Sequence, residues 1–136
     1  MWLFTVDGFY SAVEDQENPE RIMVRARVRE DLERMIGRLP VIFGQDPPEI
    51  LAWTGSDYAF RIFVDRSIWA CYVALAAYEL DYTNFKAAAA IGSARSRAYH
   101  AVWSRLSSWQ AEERFRPGVD VEDGPDQAEL FGDDLW

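Results

Sequence analysis

One cysteine and one histidine in 136 residues close off several chemistries at once. Cys71 alone cannot build an internal disulfide framework, and a chain without disulfides suits a reducing cytoplasm. His100 has no His or Cys at ligand spacing, so no metal site is expected. A glycine-rich phosphate loop, a Gly-x-Ser-x-Gly turn and a Walker pattern are all missing, and no cofactor is expected. No basic N-terminal region precedes an apolar run, so no signal peptide is expected. The longest apolar stretch, residues 68–80, falls short of the ~18–20 residues of a membrane span. There is no internal repeat.

Positive charge is absent from residues 117–136. That stretch holds seven carboxylates (Asp120, Glu122, Asp123, Asp126, Glu129, Asp133 and Asp134). Seven of the nine net negative charges therefore sit in these twenty residues and two in the other 116. Pro117-Gly118 and Gly124-Pro125 punctuate it against regular structure. Like charges at low hydrophobicity read as a solvated tail. The expected organisation is a globular domain over 1–116 and an acidic tail over 117–136. Four bulky apolar residues near the end, Leu130, Phe131, Leu135 and Trp136, do not fit a purely solvated arm.

Gln127-Ala128-Glu129-Leu130-Phe131 has the form Gln-x-x-Leu-Phe. It resembles the short peptide by which bacterial replication and repair proteins dock on the sliding clamp. The resemblance implies amide hydrogen bonds from Gln127 at the rim of a cleft, with Leu130 and Phe131 filling adjoining apolar pockets. Such anchor pairs give short peptides their affinity, here roughly micromolar, about -8 kcal/mol. Gly132-Asp133-Asp134-Leu135-Trp136 is similar in kind to the C-terminal tip of bacterial single-stranded-DNA-binding proteins, with Leu-Trp where that family has Ile-Pro-Phe. The plainer alternative is that these four side chains pack on the protein's own body or on a second copy.

The whole chain is 49% hydrophobic and 15% aromatic, ample material for a core, and the body holds every Trp but Trp136. Residues 2–6 and 9–14 flank Asp7-Gly8, the pair preferred by a type I′ hairpin. Over 22–28, Ile22, Val24, Ala26 and Val28 alternate with Met23, Arg25, Arg27 and Arg29, a strand with one buried side. Leu32, Met35, Ile36 and Leu39 give residues 29–39 an amphipathic helix, with Glu30 and Asp31 suiting its dipole. A short strand over 50–53 precedes a second clear one over 58–64. There Tyr58, Phe60, Ile62 and Val64 face one way, and Arg61 and Phe63 the other. Ser67 is expected to cap a largely buried helix to about residue 80, with Cys71 as a small core residue. A short helix capped by Asp81 or Thr83 follows. The longest helix, about 94–115, has a stripe of Ala98, Tyr99, Val102, Trp103, Leu106 and Trp109. The order β-β-β-α-β-β-α-α-α predicts an α+β fold: an antiparallel sheet with helices packed mainly on one face, ferredoxin-like in style.

Met1-Trp2-Leu3-Phe4-Thr5, Gly8-Phe9-Tyr10-Ser11, Val24-Arg25-Ala26-Arg27, Asp81-Tyr82-Thr83-Asn84-Phe85-Lys86 and Tyr99-His100-Ala101-Val102-Trp103, with Asp57-Tyr58 and Arg61-Ile62, resemble a family of small uncharacterised bacterial proteins. The match covers residues 1 to about 110 and implies a fold without an activity.

Three functions remain in view. The first is a non-enzymatic adaptor of DNA replication or repair, tethered to the clamp by Gln127, Leu130 and Phe131, with a body that holds DNA or a DNA-bound protein. The second is an acidic phage or mobile-element inhibitor that mimics nucleic acid. The third is a small metal-dependent nuclease using Asp57, Asp65 or His100, although Asp57, Asp65 and Asp81 stand at element boundaries, where carboxylates cap or pair. On the body, Arg25, Arg27 and Arg29 project together, and Arg61 with Phe63 extends the group. Cations interleaved with an aromatic resemble, in physical type, single-stranded nucleic-acid platforms. Two alternatives are open: these arginines pair with Glu14, Asp15, Glu30 or Asp31, or the acidic tail folds over them.

Overall fold

Asp7-Gly8 turns the chain, but not as the two-residue hairpin that the pair predicts. β1 (Trp2–Phe4) and β2 (Phe9–Glu14) pair antiparallel with Phe4 opposite Phe9, leaving Thr5, Val6, Asp7 and Gly8 as the connection. Thr5 closes it. Its N–H donates to the Gly8 carbonyl at 2.9 Å, and its Oγ1 accepts from the N–H groups of Asp7 and Gly8. A type I′ turn needs positive φ at both central residues, and among the described glycines only Gly55 has it, at 89°. Gly8 is required by space instead. A Cβ there would stand 2.8 Å from Asp31 Cβ and Cγ and from the Tyr10 hydroxyl oxygen. Asp31 belongs to α1 (Arg29–Arg38). Its Oδ2 accepts from the Phe9 N–H at 3.0 Å, and its carbonyl accepts from the Tyr10 hydroxyl at 2.9 Å.

The computed structural model describes residues 1–39, 46–89 and 93–114. The chain divides into two units, Met1–Ser93 and Ala94–Trp136. The expected boundary at 116/117 and the acidic tail, with Gln127, Leu130, Phe131, Leu135 and Trp136, lie outside the described residues.

In the first unit β3 (Arg21–Ala26) follows the hairpin, then α1, β4 (Leu51–Ala52), β5 (Phe60–Asp65), α2 (Arg66–Tyr78) and the short α3 (Phe85–Ala88). The strands form one antiparallel sheet in the order β1-β2-β3-β5-β4, and the fold is α+β. The alternation in β3 works as read: Ile22, Val24 and Ala26 are buried on one face. Cross-strand registers add Tyr10 and Ala12 from β2 and Ile62 and Val64 from β5 to that face. Leu32 and Met35 of α1 and Trp69 and Tyr72 of α2 cover it. Burying each such side chain contributes about 1.5–3 kcal/mol. Tyr10 sits in the middle, edge-on to Tyr72 at 5.5 Å between ring centroids.

Several local expectations change. Asp65, not Ser67, is the N-cap residue of α2, because β5 runs directly into the helix. Of α2's side chains only Trp69 and Tyr72 are buried, and Cys71 is exposed. So apolar a helix carries no periodic cue to its outer face. Asn84 caps α3, its side chain accepting from the Lys86 N–H at 3.0 Å.

The second unit contains α4 (Ala94–Arg114), whose Tyr99 is buried while Trp103, Leu106 and Trp109 are exposed. His100 Nδ1 lies 2.8 Å from the Ser96 carbonyl oxygen, one turn back on the same helix. No helix among the described residues is long and apolar enough to cross a membrane.

Candidate functional site

Helices α1 and α2 cover one face of the sheet, and the other carries polar and aromatic side chains and, among the described residues of the first unit, the loop over residues 53–59. Residues directly opposite one another on neighbouring strands point the same way. Trp2 faces Ser11, Ser11 faces Arg25, Arg25 faces Arg61, and Arg61 faces Leu51. One row thus crosses all five strands, about 19 Å at ~4.8 Å per strand. The adjoining row holds Val13, Met23 and Phe63. Neither row contains a carboxylate.

The row's two arginines face each other across β3 and β5, an arrangement that like charge disfavours. Aromatic rings and hydroxyls compensate in part. The Arg25 guanidinium lies 4.8 Å from the Tyr58 ring centroid and that of Arg27 4.7 Å from it. Arg61 stacks on Trp53 at 4.2 Å, and Arg21 on Phe63 at 5.1 Å. Each such contact contributes about 0.5–2 kcal/mol, more as water is excluded. Arg25 Nη2 donates to Ser11 Oγ at 2.8 Å, Arg27 Nη1 to the Asp57 carbonyl at 2.7 Å, and Arg61 Nη2 to Ser56 Oγ and the Tyr58 carbonyl at 3.3 Å. Toward the β1 edge, Phe4 stacks on Phe9 at 4.5 Å, and Trp2 meets Phe9 edge-on at 5.5 Å. Trp2 and Trp53, at opposite edges, are 65% and 59% exposed.

Of the residues expected on this face, the structure joins Arg25, Arg61 and Phe63, with Arg27 at the rim. Arg29 does not belong to it; as the first residue of α1 it pairs with Glu33, one helical turn on, at 2.9 Å. The pairing of these arginines with Glu14, Asp15, Glu30 or Asp31 is not what forms. Asp15 takes Arg21, Asp31 takes Arg34 and Glu14 takes Arg66. Among the described residues no carboxylate pairs with Arg25, Arg27 or Arg61. Asp15 is held below the ordinary carboxylate range, first by the Glu17 N–H and then by Arg21.

Tyr58 overturns its expected orientation. It precedes β5 in a loop closed by the Trp53 N–H to the Ala59 carbonyl, at 2.8 Å, so its ring turns onto the arginine face rather than joining Phe60 and Ile62. Trp2, Ser11, Trp53 and Tyr58 are therefore site residues that strand alternation did not reveal. The available signal was Gly55 between two aromatics in a short strand–strand connection.

Asp57 lies in that loop and Asp65 at the far end of β5, so the whole strand separates them. His100 is in the second unit. Among the described residues no group of three His, Cys, Asp or Glu side chains could hold a metal ion. A groove of about 680 Å³ lies between the hairpin turn and the end of α2, lined by Leu3, Thr5, Val73, Leu80 and Tyr82. Its one cation, Arg38, already pairs with both Asp7 and Glu79.

Compared with known proteins, the chain matches no family model, no curated protein and no solved structure.

Proposed function

We propose that this chain is a non-enzymatic adaptor of DNA replication or repair. Its sheet face takes single-stranded DNA, and its acidic tail docks on the bacterial sliding clamp through Gln127, Leu130 and Phe131. The observation that carries the first half is the cross-strand row, whose arginines pair with no carboxylate among the described residues and lie between exposed tryptophans. Single-stranded nucleic acid asks for that combination of cations for the backbone and rings for the bases. The net charge of -9 does not oppose it, since seven of those charges sit in residues 117–136. The second half rests on the Gln-x-x-Leu-Phe pattern. A roughly micromolar tether becomes effective when the body holds a second site on the same DNA.

Fluorescence anisotropy of a labelled 20-residue thymidine oligonucleotide tests the face. Contact with three arginines gives a salt slope near -2, or about 20-fold weaker binding between ~50 and ~200 mM salt. Arg27→Ala lowers that slope by roughly 0.7. Binding that is absent, or insensitive to Arg27→Ala, Trp2→Ala and Trp53→Ala, contradicts the reading. For the tail, full-length protein retains purified clamp. A version ending at Phe115, or one carrying Gln127→Ala with Phe131→Ala, does not.

A further inference from the structure

The side-chain polar atoms that are buried without a hydrogen-bond partner among the described residues are Arg25 Nε, Tyr58 Oη, Arg61 Nε and Tyr72 Oη. All but the last belong to three residues in mutual contact on the arginine face. Arg25 and Arg61 are directly opposed, the Tyr58 ring lies over Arg25, and the Tyr58 carbonyl accepts from Arg61. Arg61 is 8% exposed and Tyr58 3%. Buried groups of this kind are nearly always satisfied, and a buried guanidinium with no counter-charge is costly. Each of the three atoms can donate to an oxyanion, and two come from cations. Ser11 Oγ and Ser56 Oγ, already bonded to the two guanidiniums, border the same spot.

We propose that Arg25, Arg61 and Tyr58 form a binding subsite for a phosphate group, entered when the Trp53 and Ser56 side chains swing off Arg61. Those two side chains are held on Arg61 by contacts a phosphate replaces: the 3.3 Å bond from Arg61 Nη2 to Ser56 Oγ and the stacking of Trp53. A phosphate oxygen between the opposed guanidiniums supplies a counter-charge that no carboxylate among the described residues gives them. Charge-assisted bonds of this type are about twice as strong as neutral ones. The phosphate comes either from free orthophosphate or from a nucleic-acid backbone. The backbone source rests on the single-stranded DNA reading; the subsite itself does not.

The experiment uses the full chain and two probes. Orthophosphate is followed by thermal shift against chloride at equal ionic strength, and a labelled 12-residue thymidine oligonucleotide by anisotropy. Orthophosphate should raise the melting temperature and alter tryptophan fluorescence as Trp53 leaves Arg61. Tyr58→Phe keeps the ring and removes one donor; Arg25→Lys keeps the charge and removes Nε. Each should weaken both probes roughly tenfold, and Tyr58→Phe should do so without lowering the anion-free melting temperature. If Arg25→Lys fails to fold, Tyr58→Phe decides. Orthophosphate binding without oligonucleotide binding upholds the subsite and overturns the DNA reading. Oligonucleotide binding that ignores both variants, with no effect of orthophosphate, upholds the face and overturns the subsite. If neither probe binds, both fall.

Discussion

Replacing Gly8 by alanine should be among the most damaging single-methyl changes in the first unit. The added Cβ would meet Asp31 Cβ, Asp31 Cγ and the Tyr10 hydroxyl oxygen, each at 2.8 Å. Two of these belong to the backbone-near part of a helix residue and the third to a buried ring, so none can swing away. Overpacking of this kind costs about 1–3 kcal/mol. Moving Asp31 also weakens its bond to the Phe9 N–H, a charge-assisted interaction of roughly 1.5–3 kcal/mol. A net loss of about 2–4 kcal/mol is expected. Urea unfolding followed by tryptophan fluorescence reads it as a midpoint lowered by about 1–2 M. Gly37, near the end of α1, has nothing within 4 Å of its ideal Cβ. Gly37→Ala should therefore stabilise by about 0.5–1 kcal/mol. Gly8→Asn separates the two reasons for a glycine. Asparagine tolerates left-handed backbone, so a turn that needed positive φ would accept it better than alanine. The close approach predicts that asparagine is worse. A Gly8→Ala loss under about 0.5 kcal/mol, or a milder Gly8→Asn, would refute this reasoning.

Tyr10→Phe removes the hydroxyl's bond to the Asp31 carbonyl and should cost about 1 kcal/mol, whereas the Tyr72 hydroxyl has no geometric hydrogen-bond partner among the described residues and Tyr72→Phe should cost less; paired urea curves compare them. Burial, above all, raises both phenols above the ordinary 10.0, so the unfolded chain ionises first. Their contribution to stability is complete below pH 10.0 and is lost as pH rises beyond it, which melting curves across that range should show. Asp15 behaves in the opposite sense: its contribution is present above 3.8 and disappears as pH falls through its lowered value, and Asp15→Asn should remove that part of the acid dependence. Cys71 is exposed and should react fully with a thiol reagent in the native protein; protection until unfolding would contradict its placement.

What the sequence made legible was periodic. Ile22, Val24 and Ala26 repeat every second residue and are buried on one face, and Leu32 and Met35 repeat at helical spacing and cover it. What it concealed depends on contacts between distant residues. Asp7-Gly8 looks like a local turn signal, yet Gly8 is constrained by Asp31, 23 positions away. Tyr58 continues the alternation of the strand that follows, yet the closed 53–59 loop turns it over. The arginines of β3 could be read as a group, because they share one strand. Their aromatic partners could not, because Trp53 and Tyr58 reach them from another hairpin.

The face itself is tested most directly by photocrosslinking. A short single strand bearing 5-iodouracil is irradiated with the full-length protein, and the attached residues are mapped by mass spectrometry. Crosslinks should fall on Trp2, Phe9, Trp53 or Phe63 and disappear with competing thymidine oligonucleotide. Crosslinks confined to α1 and α2, or none at concentrations well above the anisotropy midpoint, would contradict the account.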